Sequence, residues 1–243
     1  MKERLDRILL SRNITDSREK AKALIMAGDV LVDGIPVTKP GTLVDTRAVV
    51  ELRGEVPFVS RGGLKLDAAL NHFRIDLEGV IAMDIGSSTG GFTDCMLKRG
   101  AKRVYCIDVG YGQMAWPLRK DPRVILLERT NIRYLEREMI PDIVDFATID
   151  VSFISLKKVI PRVREFIRKD GEILALVKPQ FEVGKGKVGK GGIIRDEDTR
   201  QAAVRSVREY AEDIGLKTIG VFQSPVKGQK GNIEYFLYLK NDG

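Results

Sequence analysis

The chain has 243 residues, 43% hydrophobic and 31% charged, which suits one large globular domain or two unequal ones and fits a water-soluble protein. Its apolar runs are too short to span a bilayer, the charged start MKERLDRILLSRN is a poor secretory signal, and two cysteines with one histidine cannot build a zinc site. The net charge of +7 favours an anionic partner, so a cytoplasmic protein with no metal, no membrane span and free thiols at Cys95 and Cys106 is expected.

Residues 1–54 read as a small separate α+β module. Leu5, Ile8 and Leu9 share one helical face. Asp16 and Glu19 have the spacing of a capping box, and Ala21, Leu24 and Ile25 continue an apolar stripe that Gly28 closes. VLVDGIPVT then alternates about a DG turn, a hairpin signal. Arg4, Arg7, Arg12, Arg18, Lys20 and Lys22 decorate the helices, but acids interleave with them, and a solvated face is the plain reading of that charge. The pattern RLDRILLSRNITDSREKAKALIMAGDVLVDG is more specific, and it resembles the alpha-L RNA-binding module first known from a small-subunit ribosomal protein. That resemblance implies basic side chains that grip RNA phosphates and recognise folded shape more than sequence.

Residues 55–64, EVPFVSRGGL, form a linker in which Pro57 and the Gly62–Gly63 pair break structure, leaving a second domain over 65–243. A helix, LKLDAALNHF, comes first. Strands are expected at 80–86, 103–110, 124–128, 146–150, 172–178, 216–222 and 232–240, with helices between most of them. The loop 223–231 is too short for a helical crossover, so the seventh strand should run antiparallel. Six parallel strands and an antiparallel seventh resemble the α/β, Rossmann-like methyltransferase architecture.

The first of these strands ends in DIGSSTGGFTD, residues 84–94. Gly86, Gly90 and Gly91 let the backbone approach a ligand before a helix starts, with Ser87 and Ser88 between them and Phe92 following. The spacing is not that of the dinucleotide fingerprint. Asp108, ending the second strand, is placed for ribose hydroxyls. Asp84 beside the loop favours a sulfonium cofactor over a pyrophosphate. Asn131 either bonds the exocyclic edge of an adenine or is an ordinary loop asparagine.

Ligands of open parallel sheets bind beyond the carboxyl ends of the strands. Asp150 and Lys178 close two strands there, and Glu234 lies near the start of the strand that returns from that edge. Residues 184–195 carry three Lys and one Arg with no acid, and 223–231 carry two Lys, so two loops at this edge hold six of the seven excess charges. An acid, a lysine and an acid beside a nucleotide loop suggest catalysis rather than core.

The strings VSRGGLKL, DIGSSTGGFTD, DVGYGQ, LERTN, DVSFISL, VKPQFEVGKG and GNIEYFL are similar to those of FtsJ/RrmJ-type ribose 2′-O-methyltransferases. With the N-terminal module in front, nearly the whole chain resembles the TlyA family, also known as haemolysin A. The resemblance implies S-adenosyl-L-methionine as cofactor and ribosomal RNA or ribosomal subunits as partner, with cytidine ribose in large-subunit RNA, and in some members small-subunit RNA, as target. The chain stops a few residues after the seventh strand, which resembles the shorter form linked to large-subunit RNA. The family's Lys-Asp-Lys-Glu tetrad falls on Lys65, Asp150, Lys178 and Glu234, and only the resemblance nominates Lys65. Lys178 is then the hydroxyl-orienting group or base, and a second lysine and a sulfonium nearby favour loss of its proton. Arg61, Lys185, Lys187 and Lys190 join the expected RNA contacts, and Phe181 or the 184–195 loop would fill the space of a displaced nucleotide. Two other readings stay open: a non-catalytic RNA-binding assembly factor, and a haemolysin.

Overall fold

A computed structural model describes residues 2–52, 57–184, 188–189, 191–228 and 231–243. The chain divides into two compact units, Met1–Val56 and Pro57–Gly243.

In the first unit β1 (Lys2–Arg4) leads into α1 (Leu5–Ser11) and α2 (Arg18–Ala27), followed by β2 (Val30–Val32), β3 (Ile35–Pro36), β4 (Leu43–Asp45) and β5 (Val50–Leu52). The expected hairpin forms, with Leu31 opposite Pro36 and Val32 opposite Ile35. β5 pairs on the other side of β2, and β4 pairs with β1; neither strand stands out in the sequence. Leu5, Ile8, Leu9, Ala21, Ile25 and Val30 make the core. Gly28 ends α2 at φ 80, as its position predicts. The N-cap differs from the expectation: Ser17, not Asp16, accepts from the Lys20 amide, while Asp16 forms an exposed ion pair with Lys20. A serine hydroxyl caps as well as an aspartate, so adjacent Asp and Ser leave the choice to backbone geometry.

The second unit opens with α3 (Arg61–Phe73), so the Gly62–Gly63 pair lies inside a helix instead of breaking one. The reason is crowding. A Cβ on Gly63 would lie 2.2 Å from Phe58 Cγ. The strands are β6 (Ile81–Ile85), β7 (Arg103–Ile107), β8 (Val124–Leu127), β9 (Val144–Ile149), β10 (Ile167–Val177), β11 (Leu216–Gln223) and β12 (Tyr235–Asn241). Between them lie α4 (Gly91–Lys98), α5 (Trp116–Arg119), α6 (Ile160–Arg164), α7 (Pro179–Glu182) and α8 (Glu197–Asp213). They form one sheet in the order β11-β12-β10-β9-β6-β7-β8. β12 is antiparallel to both of its neighbours, while β10, β9, β6, β7 and β8 pair in parallel. The antiparallel seventh strand is therefore as expected.

Side chains alternate across the sheet, so each strand feeds two layers. Met83, Ala147, Ile173, Ala175 and Leu237 face Ile160 and Val163 of α6 and Val204 and Val207 of α8. Ala82, Phe146, Leu174, Leu176 and Phe236 face Leu66 and Leu70 of α3 and Cys95 and Met96 of α4. Cys95 and Cys106 are buried free thiols.

Candidate active site

The chemistry-bearing residues gather where β6, β7, β9 and β10 end and β12 begins. Ala175 pairs with Ile149, and Val177 pairs with Tyr235. One step further, Asp150, Lys178 and Glu234 extend the rows of Phe146, Leu176 and Phe236, which is the face covered by α3. Lys65 reaches the group from α3. Its Nζ donates to Glu234 Oε2 at 2.7 Å, and the two side chains are only 12% and 3% exposed. Lys178 Nζ lies 2.5 Å from Asp150 Oδ1 and donates to Ser152 Oγ at 3.0 Å. The four sequence-nominated groups thus form two adjacent ion pairs. A Cβ on Gly228 would lie 1.8 Å from Glu234 Oε1, so that glycine backbone forms one wall of the Glu234 pocket.

Beside the pairs is a cleft of about 590 Å³, lined by Gly86, Asp108, Gln113, Asn131, Asp150 and Phe153 over an apolar floor that includes Ile107 and Ile132. Gly86 has φ 83, and a Cβ there would lie 2.4 Å from the Asp150 carbonyl oxygen. The loop after β6 therefore runs against the backbone that carries the acid. Ser87 is buried, and its hydroxyl has no hydrogen-bond partner among the described residues. Asp108 is oriented by two backbone amides, Ser88 donating to Oδ2 at 2.7 Å and Gly110 to Oδ1 at 2.7 Å. Asn131 Oδ1 accepts from the Arg133 amide, which leaves the side-chain N–H donors to offer; this suits an acceptor nitrogen better than an exocyclic amine.

Four of the expected cofactor residues are turned elsewhere. Asp84 is fully buried, with Thr93 donating to Oδ2 at 2.6 Å and Thr148 to Oδ1 at 3.0 Å. Burial pushes its carboxyl up to about 6, against the pull of those hydroxyls. Gly90 caps α4 at φ 92, tight against Met114 and Leu118, and Gly91 packs on Ser60 and Gly63. Phe92 is core, with its ring centroid 6.0 Å from that of Phe236. These residues shape the loop from behind. Three others went unnoticed as individuals: Ser152 beside Lys178, Gln113 in the cleft, and Phe153, 88% exposed with φ 63. The string DVSFISL was the only signal for Ser152 and Phe153. Phe181 packs against Phe153 at 4.9 Å between ring centroids.

Arg61 is the exposed first residue of α3. Lys185, Lys187 and Lys190 lie outside the described residues. In the first unit Arg4 and Arg18 both pair with buried Asp6, at 2.9 and 3.2 Å. Arg12 donates to the carbonyls of Thr46 and Ala48, Lys20 pairs with Asp16, Arg7 is exposed and Lys22 half-buried. Among the described residues no group of His, Cys, Asp and Glu could hold a metal ion, and no helix is long and apolar enough to cross a membrane.

A seven-stranded sheet with this order, a glycine loop after its first parallel strand and an amide-held acid after the next define a Rossmann-like methyltransferase fold. Comparison with known proteins narrows the class. The chain belongs to the FtsJ-like methyltransferase family, whose model matches residues 58–241, and an S4 domain model matches residues 3–50. It is 48% identical to the 16S/23S rRNA (cytidine-2′-O)-methyltransferase TlyA of Mycobacterium tuberculosis, over 98% of this chain and 89% of that protein. It is 42% identical to Hemolysin A of Brachyspira hyodysenteriae, over 97% of this chain and 99% of that one. A solved structure described as a candidate hemolysin from Streptococcus thermophilus superposes with a TM-score of 0.79 at 42% identity, covering 99% of this chain and 88% of the other.

Proposed function

We propose that this protein methylates the ribose 2′-hydroxyl of a cytidine in ribosomal RNA, with S-adenosyl-L-methionine as methyl donor. The observation that carries the reading is the pairing of Lys178 with Asp150 and of Lys65 with Glu234 at one end of the Asp108–Asn131 cleft. The activity in the name of the Mycobacterium tuberculosis relative supports the target, and both 16S and 23S RNA are substrates to try.

The cleft fits the cofactor in size and chemistry. Its volume is within the range of about 300–1,000 Å³ for ligand sites. Asp108 would accept from ribose hydroxyls, and Asn131 would donate to the adenine. When bound, the cofactor supplies a methyl carbon made electrophilic by a sulfonium. Asp150 and Ser152 fix the Lys178 ammonium, so its position is set before substrate arrives. Lys178 orients the target oxygen and, having given a proton to solvent, takes the hydroxyl proton. Lys65, held by Glu234, is fixed on the same face of this sheet edge. The module at residues 1–54 would hold RNA through phosphates, with residues 65–243 carrying the chemistry, in the cytoplasm where ribosomes are made.

The test is transfer of tritiated methyl groups to ribosomes, separated subunits and their RNA, followed by mapping of the modified ribose. Label confined to one cytidine 2′-oxygen is expected. Binding to ribosomal RNA without methyl incorporation would leave an assembly factor.

A further inference from the structure

The segments that follow β9 and β10 are joined by successive cross-links. Asp150 and Ser152 hold Lys178. Phe153 packs on Phe181. Glu182 then takes both of its carboxylate oxygens to the first segment: Ser155 Oγ donates to Oε2 at 2.6 Å, and the Leu156 amide donates to Oε1 at 2.8 Å. Burial pushes the Glu182 carboxyl above its ordinary range, opposed by those two donors and by nearby Lys157. The bonds are not needed to start the short 3₁₀ turn Leu156–Lys158, because Ser155 Oγ already caps it by accepting from the Lys157 amide. Between the clamps lies Phe153, an exposed aromatic residue at φ 63, a conformation that persists only where the surroundings impose it.

We propose that Glu182 is a positioning residue: by clamping Ser155 and Leu156 it fixes the turn at 150–154, and through it the Asp150–Lys178 pair and the Ser152 hydroxyl, for methyl transfer. The proposal rests on the ribose reading of Lys178 and Asp150. Glu182→Ala removes the clamp. Glu182→Gln keeps it, since the amide oxygen still accepts from Leu156 while the amide N–H donates to Ser155 Oγ. Ser155→Ala removes one donor only.

Two measurements decide the matter: hydrogen exchange at the Leu156 amide in the full-length protein, and single-turnover methyl transfer to ribosomal RNA at saturating cofactor. In Glu182→Ala, Leu156 exchange should quicken and transfer should slow, each by about tenfold or more, with the Kd for S-adenosylhomocysteine within about threefold of the parent. Glu182→Gln should return both to within about threefold of the parent, and Ser155→Ala should fall between. Unchanged Leu156 exchange in Glu182→Ala, equal losses in the Ala and Gln variants, or a fall in cofactor affinity that matches the fall in rate would each overturn the proposal. A parent protein that methylates no RNA sinks the ribose reading and the catalytic half of the proposal with it, whereas normal Leu156 exchange in Glu182→Ala sinks the clamp alone.

Discussion

Each unit of the chain buries an acid and surrounds it with cations, to opposite ends. Asp6 is wholly buried, yet its partners Arg4 and Arg18 are 42% and 45% exposed. Glu234 is buried too, but its partner Lys65 is only 12% exposed, and Lys178 beside it only 11%. In the first unit the acid is an anchor from which two permanently charged guanidinium groups present their remaining donors to solvent, as phosphate binding requires. In the second the cations are themselves withdrawn from water, where their ion pairs are stronger and their positions better fixed. On the proposed function, exposure of the cation would separate a gripping site from a reacting one.

The comparison can be broken most sharply at Lys178. Lys178→Ala should lower single-turnover methyl transfer by about 10²–10⁴-fold with RNA binding little changed. A loss within about tenfold would exclude general base catalysis of the usual size. Next, Gly228→Ala should displace Glu234 from Lys65 and slow transfer by about ten- to a hundredfold, because Glu234 is buried and has little room to yield. Glu234→Ala leaves Lys65 without its partner and should cost about 3–5 kcal/mol in a denaturant titration, the range for one half of a buried pair.

Smaller effects sharpen the first unit's side of the contrast. Asp6→Asn should loosen Arg4 and Arg18 and weaken RNA binding by about three- to tenfold while leaving the salt dependence alone, since no cation is lost. Arg4→Ala should instead shallow the slope of log affinity against log salt by about one. The Arg4 hydrogen bond, joined by Arg18, lowers the Asp6 carboxyl to about 2. Its folded value lies below its unfolded one, so its contribution to stability is complete above about pH 4 and is lost as pH falls toward 2. Asp84 has the opposite sign. Burial raises it to about 6, so its contribution is fullest below about pH 4 and declines as pH rises through 6. The stability difference between Asp84→Asn and the parent should accordingly move in the variant's favour between pH 4 and 6. A flat difference would mean that Asp84 ionises as freely in the fold as outside it.

Much of the sheet was legible because strand ends and loop lengths are local properties. The short 223–231 segment forced β12 to run antiparallel, and alternation then brought Asp150, Lys178 and Glu234 to one edge and one face. Contacts between distant segments were not legible. Lys65 meets Glu234 across 169 positions, and only family resemblance nominated it. Gly62–Gly63 reads as a breaker until Phe58 is seen against the helix. Gly90, Gly91 and Asp84 read as ligand groups because a motif lists residues without saying which side of the loop they face. Adjacent capping candidates at Asp16 and Ser17 differ too little in preference for sequence to choose.

The place of β12 has a consequence for how the molecule comes to be. It follows every other strand of the sheet in sequence, yet it sits between β10 and β11 rather than at the margin. During synthesis β11 therefore emerges before the strand it must pair with, and the sheet ends at β10 until β12 threads in beside it. Glu234 arrives with that strand, so Lys65 stays unpartnered until the sheet closes. The Lys65–Glu234 ion pair thus cannot form until synthesis has passed Glu234, after every other strand of the sheet has been made.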